Sequence, residues 1–372
     1  MKRLTLCLFV LFSGLFILTT RAGIQIEVVD PLYFEKKHEV IFPWADAKLV
    51  TFEFEAVEGI EGGKQRAKEL HNQFLQKIQG LPGGAILTFL TPEGQRIENY
   101  RFTVKQAAQQ QKAQMSLWGR MFPDKSGDSL INVRLGLVEP PNGIQAAFES
   151  RIEMPRGEQP IRGFINDEIT QKRIDFLTVK ESNIAALADF LSGMAFYYKG
   201  AKKENSRAIQ LLETAIRRLN SYIDNTLSQV DYSAASAAHL YIARAYFILA
   251  DLEREKRKAH RLNAEQYATK AIDLNPYEPD PYTVLAVIRS ATGHTTQEIA
   301  PLLKKAVLLA PGSLTASYNL ALVNSGTGQL QDAIQRLEHV DYLQQQEQQP
   351  TYRELDKLQD KLRTINSDRQ TH

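Results

Sequence analysis

The stretches 268–276 (ATKAIDLNP) and 303–311 (LKKAVLLAP) are two copies of one pattern, placed 35 residues apart. In both copies an alanine precedes a proline by five positions. The same frame continues in residues 330–340 (LQDAIQRLEHV) and extends back to residues 206–216 (SRAIQLLETAI). A period near 34 residues, with small side chains at fixed offsets, is typical of a helical solenoid built from stacked helix pairs. Such an array presents an extended binding surface, so the sequence predicts a binding protein.

The repeats resemble the tetratricopeptide repeat (TPR) across residues 183–345, and residues 351–366 are predicted to form a capping helix with a polar outer face. Each unit has a first helix with small and aromatic residues, and a second helix with small or apolar residues at fixed offsets. The small residues allow close helix approach, and a proline after the second helix ends it. The matching second-helix residues are Ala208, Leu212 and Ala215, then Ala264, Ala268 and Ala271, then Ile299, Leu303 and Ala306, and finally Ala333 and Leu337.

Two turns of the array are longer than the TPR pattern, at residues 201–207 and 253–260. The second of these is rich in charged residues, and we expect it to extend the helices on either side. These enlarged turns are where the array differs from a regular one.

Residues 24–165 predict a small mixed α/β domain, so the predicted fold class of the chain is α+β, with this domain followed by the all-α solenoid. The apolar positions between residues 67 and 78 gather on one helical face. A proline- and glycine-containing connector is predicted at residues 154–163, and residues 164–179 fit either a helix or a strand. The predicted elements of the domain are strands at 24–29, 40–42, 48–54, 85–90, 115–122, 130–138 and 144–152, and helices at 67–78 and 104–114. The last three of these strands are predicted to follow one another as a meander.

The order of these elements resembles the small α/β domain at the N-terminus of the TolB protein, which is also seen in the FlgO-like family. The matching residues are Ala113, Trp118-Gly119-Arg120, Gly127-Asp128 and the strand 130–135 (LINVRL). The resemblance implies an envelope-associated binding domain without enzymatic activity.

The N-terminal residues 1–22 have the features of an export signal, because Lys2 and Arg3 precede an apolar run from Leu4 to about Thr20. Small residues at 20 and 22 suit cleavage after Ala22. A cleaved signal peptide, an uncleaved membrane anchor and a buried core helix all fit the run. Both export interpretations place the rest of the chain outside the cytoplasm, on the periplasmic side of a bacterial cell envelope.

Composition and motifs exclude several classes of activity. The net charge of +2 gives no electrostatic case for binding nucleic acid. The only cysteine, Cys7, excludes a disulfide framework, a cysteine nucleophile and thiolate zinc sites. No two of the seven histidines have HExxH spacing, and no G-x-S-x-G motif occurs. We therefore predict no catalytic residue, metal site or cofactor. A hydrolase would need a cluster of acidic or histidine residues that the sequence lacks.

A partner-binding face is predicted on the first helices of the repeats, whose side chains point to the inner side of a solenoid. Arg244 is notable because Ala243 and Ala245 flank it, so it either extends outward to solvent or meets an acidic group of a partner. The lysine–asparagine pattern that binds a peptide carboxylate in some TPR domains is missing. The predicted partner-binding residues are Tyr197, Arg244, Phe247, Tyr318 and Leu322.

These observations predict a non-enzymatic, envelope-exported scaffold that binds a protein or peptide in the groove of the repeats, with possible membrane attachment through the N-terminal segment. The alternative is a sensory accessory module, in which the α/β domain binds a small molecule and the repeats relay the signal to a membrane partner.

Overall fold

The computed structural model divides the chain into two compact units. The sheet unit comprises residues 1–138 and 171–198, and the helical unit comprises residues 139–170 and 199–372. The α+β fold class predicted from the sequence is confirmed. The structure describes residues 16–18, 25–29, 47–57, 62–78, 84–89, 111, 113–123, 129–137, 146–149, 162–165, 172–180, 184–201, 206–226, 232–346, 360, 363–364 and 367.

The sheet unit is built on one mixed sheet. The strand order across this sheet is β1-β2-β5-β3-β6-β7-β10, and β4 pairs additionally with β6. The parallel pairs are β2 with β5, β5 with β3 and β3 with β6. The antiparallel pairs are β1 with β2, β6 with β7 and β7 with β10. The strands of this unit are β1 Phe16–Leu18, β2 Gln25–Val29, β3 Ala47–Phe52, β4 Glu55–Ala56, β5 Gly84–Phe89, β6 Met115–Pro123, β7 Ser129–Leu137 and β10 Lys172–Lys180.

Helix α1 (Gly63–Ile78) covers this sheet beside β4 and β6. The helical face predicted from the sequence is the buried face, because the apolar positions recur at helical spacing. Strand β3 lies in the middle of the sheet with Leu49, Val50 and Thr51 all buried, as expected for a strand covered on both faces. The buried residues of α1 from Ala67 onward are Ala67, Leu70, His71, Phe74, Leu75 and Ile78.

The prediction for residues 144–152 as the third strand of a meander beside 130–138 is wrong. Strand β8 (Ala146–Glu149) pairs instead with β9 (Arg162–Ile165) in a separate two-stranded sheet, and β10 takes the place beside β7. Sequence alternation shows that a segment suits a strand, but the partner is decided by long-range contacts. The segment 164–179, which fitted either a helix or a strand, includes the last two residues of β9 and all of β10 except Lys180.

The division between the units also differs from the predicted domain limit at residue 165, because residues 139–170 group with the helical unit. In the predicted helix 104–114, the described residues Gln111, Ala113 and Gln114 are not helical, and the others lie outside the described residues. The predicted strand 40–42 also lies outside them.

The helical unit is a TPR-like solenoid, which confirms the repeat predicted from the sequence. Successive helices pack against each other, α3 on α4, α4 on α5 and so on to α8 on α9. The predicted second-helix positions are buried in every unit, at Ala208, Leu212 and Ala215 and their counterparts. The helices are α2 Ile184–Ala201, which spans the division between the units, then α3 Ser206–Thr226, α4 Tyr232–Leu252, α5 Arg257–Leu274, α6 Pro279–Ala291, α7 Thr296–Leu309, α8 Leu314–Gly326 and α9 Leu330–Gln346.

The turns inside the last two repeats share a signal that the sequence analysis missed. Thr292-Gly293 follows α6 and Thr327-Gly328 follows α8, again 35 residues apart. Both glycines have positive φ angles, 89° at Gly293 and 80° at Gly328, a conformation that favours glycine. The next helix then begins with a capping interaction, since the Glu298 side chain accepts a hydrogen bond from the Thr295 N–H at 2.8 Å.

The two ends of the chain are only partly described. Phe16–Leu18 of the predicted N-terminal segment forms β1, and the rest of that segment lies outside the described residues. Within the described parts of the chain, no helix has the length and apolar character needed to cross a membrane. Of the predicted capping helix, Asp360, Arg363 and Thr364 are helical, and Arg363 pairs with Glu338 of α9 at 3.1 Å.

Candidate functional site

The first and second helices of the repeats differ in how they are buried. The second helices α5 and α7 each bury one stripe, at Ala264, Ala268 and Ala271 in α5 and at equivalent positions in α7. The first helices α6 and α8 are buried on all sides, over six consecutive residues at 283–288 and ten at 315–324. The first helices are therefore the inner elements of the helical unit, as the TPR frame predicts.

Equivalent positions on the two first helices lie 35 residues apart. Three such pairs are Thr283 with Tyr318, Val287 with Leu322, and Ser290 with Ser325. Thr283 and Val287 of α6 are buried, as are Tyr318 and Leu322 of α8. The third pair, formed by the serines at 290 and 325, is half-buried. Because the helices stack, matched positions on neighbouring first helices follow one another along the array.

Arg244 is buried on α4, with 7% of its surface exposed. Its guanidinium lies 5.2 Å from the centroid of the Tyr241 ring, which is a cation–π contact. The interpretation that Arg244 extends outward to solvent is therefore wrong. The aromatic contact offsets part of the cost of holding a charge away from water.

Phe247, one turn further along α4, is half-buried and packs against Val287 of α6. Tyr318 and Leu322 of α8 are 6% and 1% exposed. Tyr197 is also buried, with its ring centroid 5.6 Å from that of Tyr198. Tyr197 belongs to the sheet unit and the other four predicted residues to the helical unit. The predicted groove that combines Tyr197 with Arg244 and Tyr318 therefore stays a prediction.

Aromatic rings fill the space between α4 and α5. The Tyr246 ring lies 5.7 Å from Tyr267 and 5.8 Å from His260, and His239 lies 5.5 Å from Tyr267. Burial lowers the pKa of His239 to about 4, and the nearby charge of Lys270 contributes in the same direction. His239 is therefore neutral near pH 7 and acts as part of the core.

The enlarged turn between α4 and α5 is held together by charged side chains. Glu253 accepts a hydrogen bond from the Lys256 ammonium at 2.6 Å and contacts the His260 ring at 2.8 Å. The bond from Lys256 is the main reason that the pKa of the Glu253 carboxyl lies below its usual value. The turn contains one short 3-10 helix, Arg254–Lys256, so α4 and α5 extend to either side of it as predicted.

A cavity of about 460 Å³ lies among α7, α8 and α9. Lys304, Arg336 and His339 contribute basic groups to its lining, and Asp332 contributes one carboxylate. Sequence reasoning did not single out this cavity, because its residues come from three helices. Among the residues that the structure describes, no group of three or more histidine, cysteine or acidic side chains could hold a metal ion.

Neither a protein-family model nor a curated protein sequence matches the chain. Solved structures similar to the chain include TTC0263, a thermophilic TPR protein of Thermus thermophilus, at 16% identity and a TM-score of 0.35, covering 49% of this chain and 90% of that one. The assembly chaperone of RpL4, Acl4, is similar at 11% identity and a TM-score of 0.38, covering 51% and 79%. The TPR2AB domain of yeast Sti1, in a complex with pHSP90, is similar at 17% identity and a TM-score of 0.26, covering 49% and 92%. The assignment of the helical unit as TPR-like rests on its own repeat.

Proposed function

We propose that this protein is a non-enzymatic scaffold that binds a protein or peptide partner along the first helices of its repeats. The observation that supports this most is the set of matched positions 35 residues apart on α6 and α8. A partner segment that crosses both helices meets the same geometry twice. Repetition of this kind suits an extended polypeptide better than a small substrate.

The chemical character of this face also favours a polypeptide. Val287 and Leu322 are apolar, Thr283 carries a hydroxyl group, and Tyr318 carries an aromatic ring with a polar end. These four side chains are buried in the structure, and the serines at 290 and 325 beside them are half-buried. Apolar and aromatic contacts contribute most of the binding energy in protein interfaces, while a few polar groups fix orientation.

We also propose export to the bacterial cell envelope, with the N-terminal segment as signal peptide or anchor. The support is the basic pair Lys2 and Arg3 before the apolar run. Cleavage after Ala22 would remove β1, which pairs at the edge of the sheet with β2 alone. The remaining strands would keep their pairing. N-terminal sequencing of the protein isolated from envelope fractions tests this: a mature start at Gly23 supports cleavage, and recovery in the cytoplasmic fraction contradicts export.

Site-specific photo-crosslinking in the native cell tests the binding face. A photoreactive amino acid is placed at Ser290 or Ser325 on the first helices, and at Gln297 or Gln331 as exposed controls on the second helices. We expect one partner to crosslink from both serine positions and from neither control. Crosslinking of the same proteins from all four positions, or from the controls alone, would contradict the proposal.

A further inference from the structure

The cavity among α7, α8 and α9 is lined mainly by the second helices α7 and α9. Among the described residues that line it, none is a matched position of the proposed face on the first helices. Its volume of about 460 Å³ lies within the range of about 300–1,000 Å³ that is typical of ligand pockets. The cavity is therefore a second candidate site, separate from that face.

The charged part of the lining comes from one face of α9 and from α7. Asp332, Gln335, Arg336 and His339 follow the spacing i, i+3, i+4 and i+7, so they lie on the same side of α9. Lys304 of α7 adds a second permanent cation. The lining thus combines two permanent cations and a histidine with a single described carboxylate.

Two polar groups of this lining have no partner among the residues that the structure describes. The Nε atom of Arg336 is buried and makes no hydrogen bond, and the guanidinium forms no ion pair. Asn324 is 5% exposed. Its backbone carbonyl accepts hydrogen bonds from the Gln329 N–H at 2.8 Å and the Thr327 hydroxyl at 3.0 Å, but no described residue bonds to its side-chain amide. Because about nine in ten buried polar groups have a partner, these two point to a ligand.

The equivalent positions of the preceding repeat hold an ion pair. Arg289 of α6 lies 35 residues before Asn324, and its Nε atom donates a hydrogen bond to Glu265 of α5 at 2.8 Å. The position equivalent to Glu265 is Ala300 on α7. The last repeat therefore has shorter side chains at both positions, and the carboxylate that the preceding repeat supplies internally is replaced by a methyl group.

We propose that this cavity binds a glutamate or aspartate side chain of an acidic polypeptide segment. Arg336 and Lys304 contact the carboxylate, and the Asn324 amide contacts the adjoining peptide group. With His339 neutral, the two cations and Asp332 leave one net positive charge, which matches a carboxylate monoanion better than a phosphate dianion. The site goes beyond the proposed function, and failure of either one leaves the other standing.

Fluorescence anisotropy of the purified full chain with dye-labelled hexaglutamate tests the site, and hexaglutamine with the same dye is the uncharged control. The double variant Lys304→Gln, Arg336→Gln removes both cations of the lining, whereas Lys305→Gln, Arg254→Gln makes the same change in net charge outside it. We expect at least tenfold weaker binding of hexaglutamate by the first variant and less than a twofold change for the second. Equal affinities of the two variants, or no preference of the unmodified chain for hexaglutamate over hexaglutamine, would overturn the inference.

A second variant tests the comparison between the repeats. Ala300→Glu supplies the carboxylate that Glu265 provides in the preceding repeat, and Gln297→Glu adds the same charge at an exposed position of the same helix. Binding of hexaglutamate should weaken at least tenfold for Ala300→Glu and less than twofold for Gln297→Glu. An unchanged affinity in a folded Ala300→Glu variant would contradict an internal carboxylate that competes with the ligand.

Competition at matched ionic strength separates the two kinds of anion. Acetate should displace hexaglutamate from the unmodified chain at a lower concentration than inorganic phosphate does. The opposite order would assign a phosphate site and overturn the choice of a carboxylate.

Discussion

The substitution Leu303→Ala tests whether the 35-residue pattern defines the core of the helical unit. Leu303 lies on α7, is 1% exposed, and belongs to a core cluster with Ala286, Ile299, Leu320 and Val323. Removing its side-chain carbons beyond Cβ loses most of the buried apolar surface of the leucine and leaves a cavity among residues from three helices. Substitutions of this kind cost about 2–5 kcal/mol.

The control is another leucine on the same helix. Leu308 is 73% exposed, so Leu308→Ala removes the same atoms from a position that is already in water. We expect its effect to stay within about 0.5 kcal/mol, as for surface substitutions in general. The difference between the two variants then reports burial, because the chemical change and the helix are the same.

Guanidinium denaturation of the full chain, followed by circular dichroism at 222 nm, measures both effects. The helical unit dominates this signal, and the midpoint of its transition should fall for Leu303→Ala only. Equal midpoints for the two variants, or a larger shift for Leu308→Ala, would refute the assignment of Leu303 to a buried stripe.

Three further predictions concern single positions. Gly200→Ala should lower the melting temperature, because a Cβ there would lie 2.9 Å from Leu212 Cγ. Overpacking costs about 1–3 kcal/mol, which exceeds the gain in helix propensity of about 0.5–1 kcal/mol. An unchanged melting temperature would contradict this contact. Gly293→Ala should destabilise the helical unit by about 1–2 kcal/mol because its φ is +89°, whereas Gly312→Ala meets no atom within 4 Å and should be neutral in the same thermal melts. Burial lowers the pKa of His71 to about 3, so below pH 6.5 the unfolded chain binds a proton that the folded chain does not. The sheet unit should therefore lose about 1.4 kcal/mol of stability per pH unit between about pH 6 and pH 3, and His71→Leu should remove that contribution to the slope in denaturation measured across this range.

The features predicted correctly from the sequence are those set by local periodicity. The face of α1 and the stripes of the second helices follow from spacings of three and four residues, which place side chains on one side of a helix whatever surrounds it. The repeat adds a second check, since Ala271 and Ala306 must occupy equivalent positions if the units stack. Both are buried.

The features that sequence reasoning missed depend on long-range contacts. Residues 144–152 alternate like a strand, but nothing in the alternation selects β9 over β7 as the partner. The depth of burial of Arg244 and Tyr318 was missed for the same reason. A position on the inner side of a solenoid is open or covered according to which other elements pack over it. The sequence of one helix does not specify those elements. The Thr-Gly pairs at 292 and 327 were a local signal and could have been found by aligning the last two repeats.

The proposed function requires that a polypeptide partner binds across the first helices of the repeats. Its most direct test is the affinity of the full chain for the partner identified by crosslinking, measured by isothermal titration calorimetry. The Ser290→Arg, Ser325→Arg double variant places bulk and charge at two half-buried positions of that face, and Gln297→Arg, Gln331→Arg adds the same charge at exposed positions of the second helices. We predict at least a tenfold loss of affinity for the serine variant and less than a twofold change for the glutamine variant. Equal affinities for the two variants, with both proteins folded, would contradict the claim.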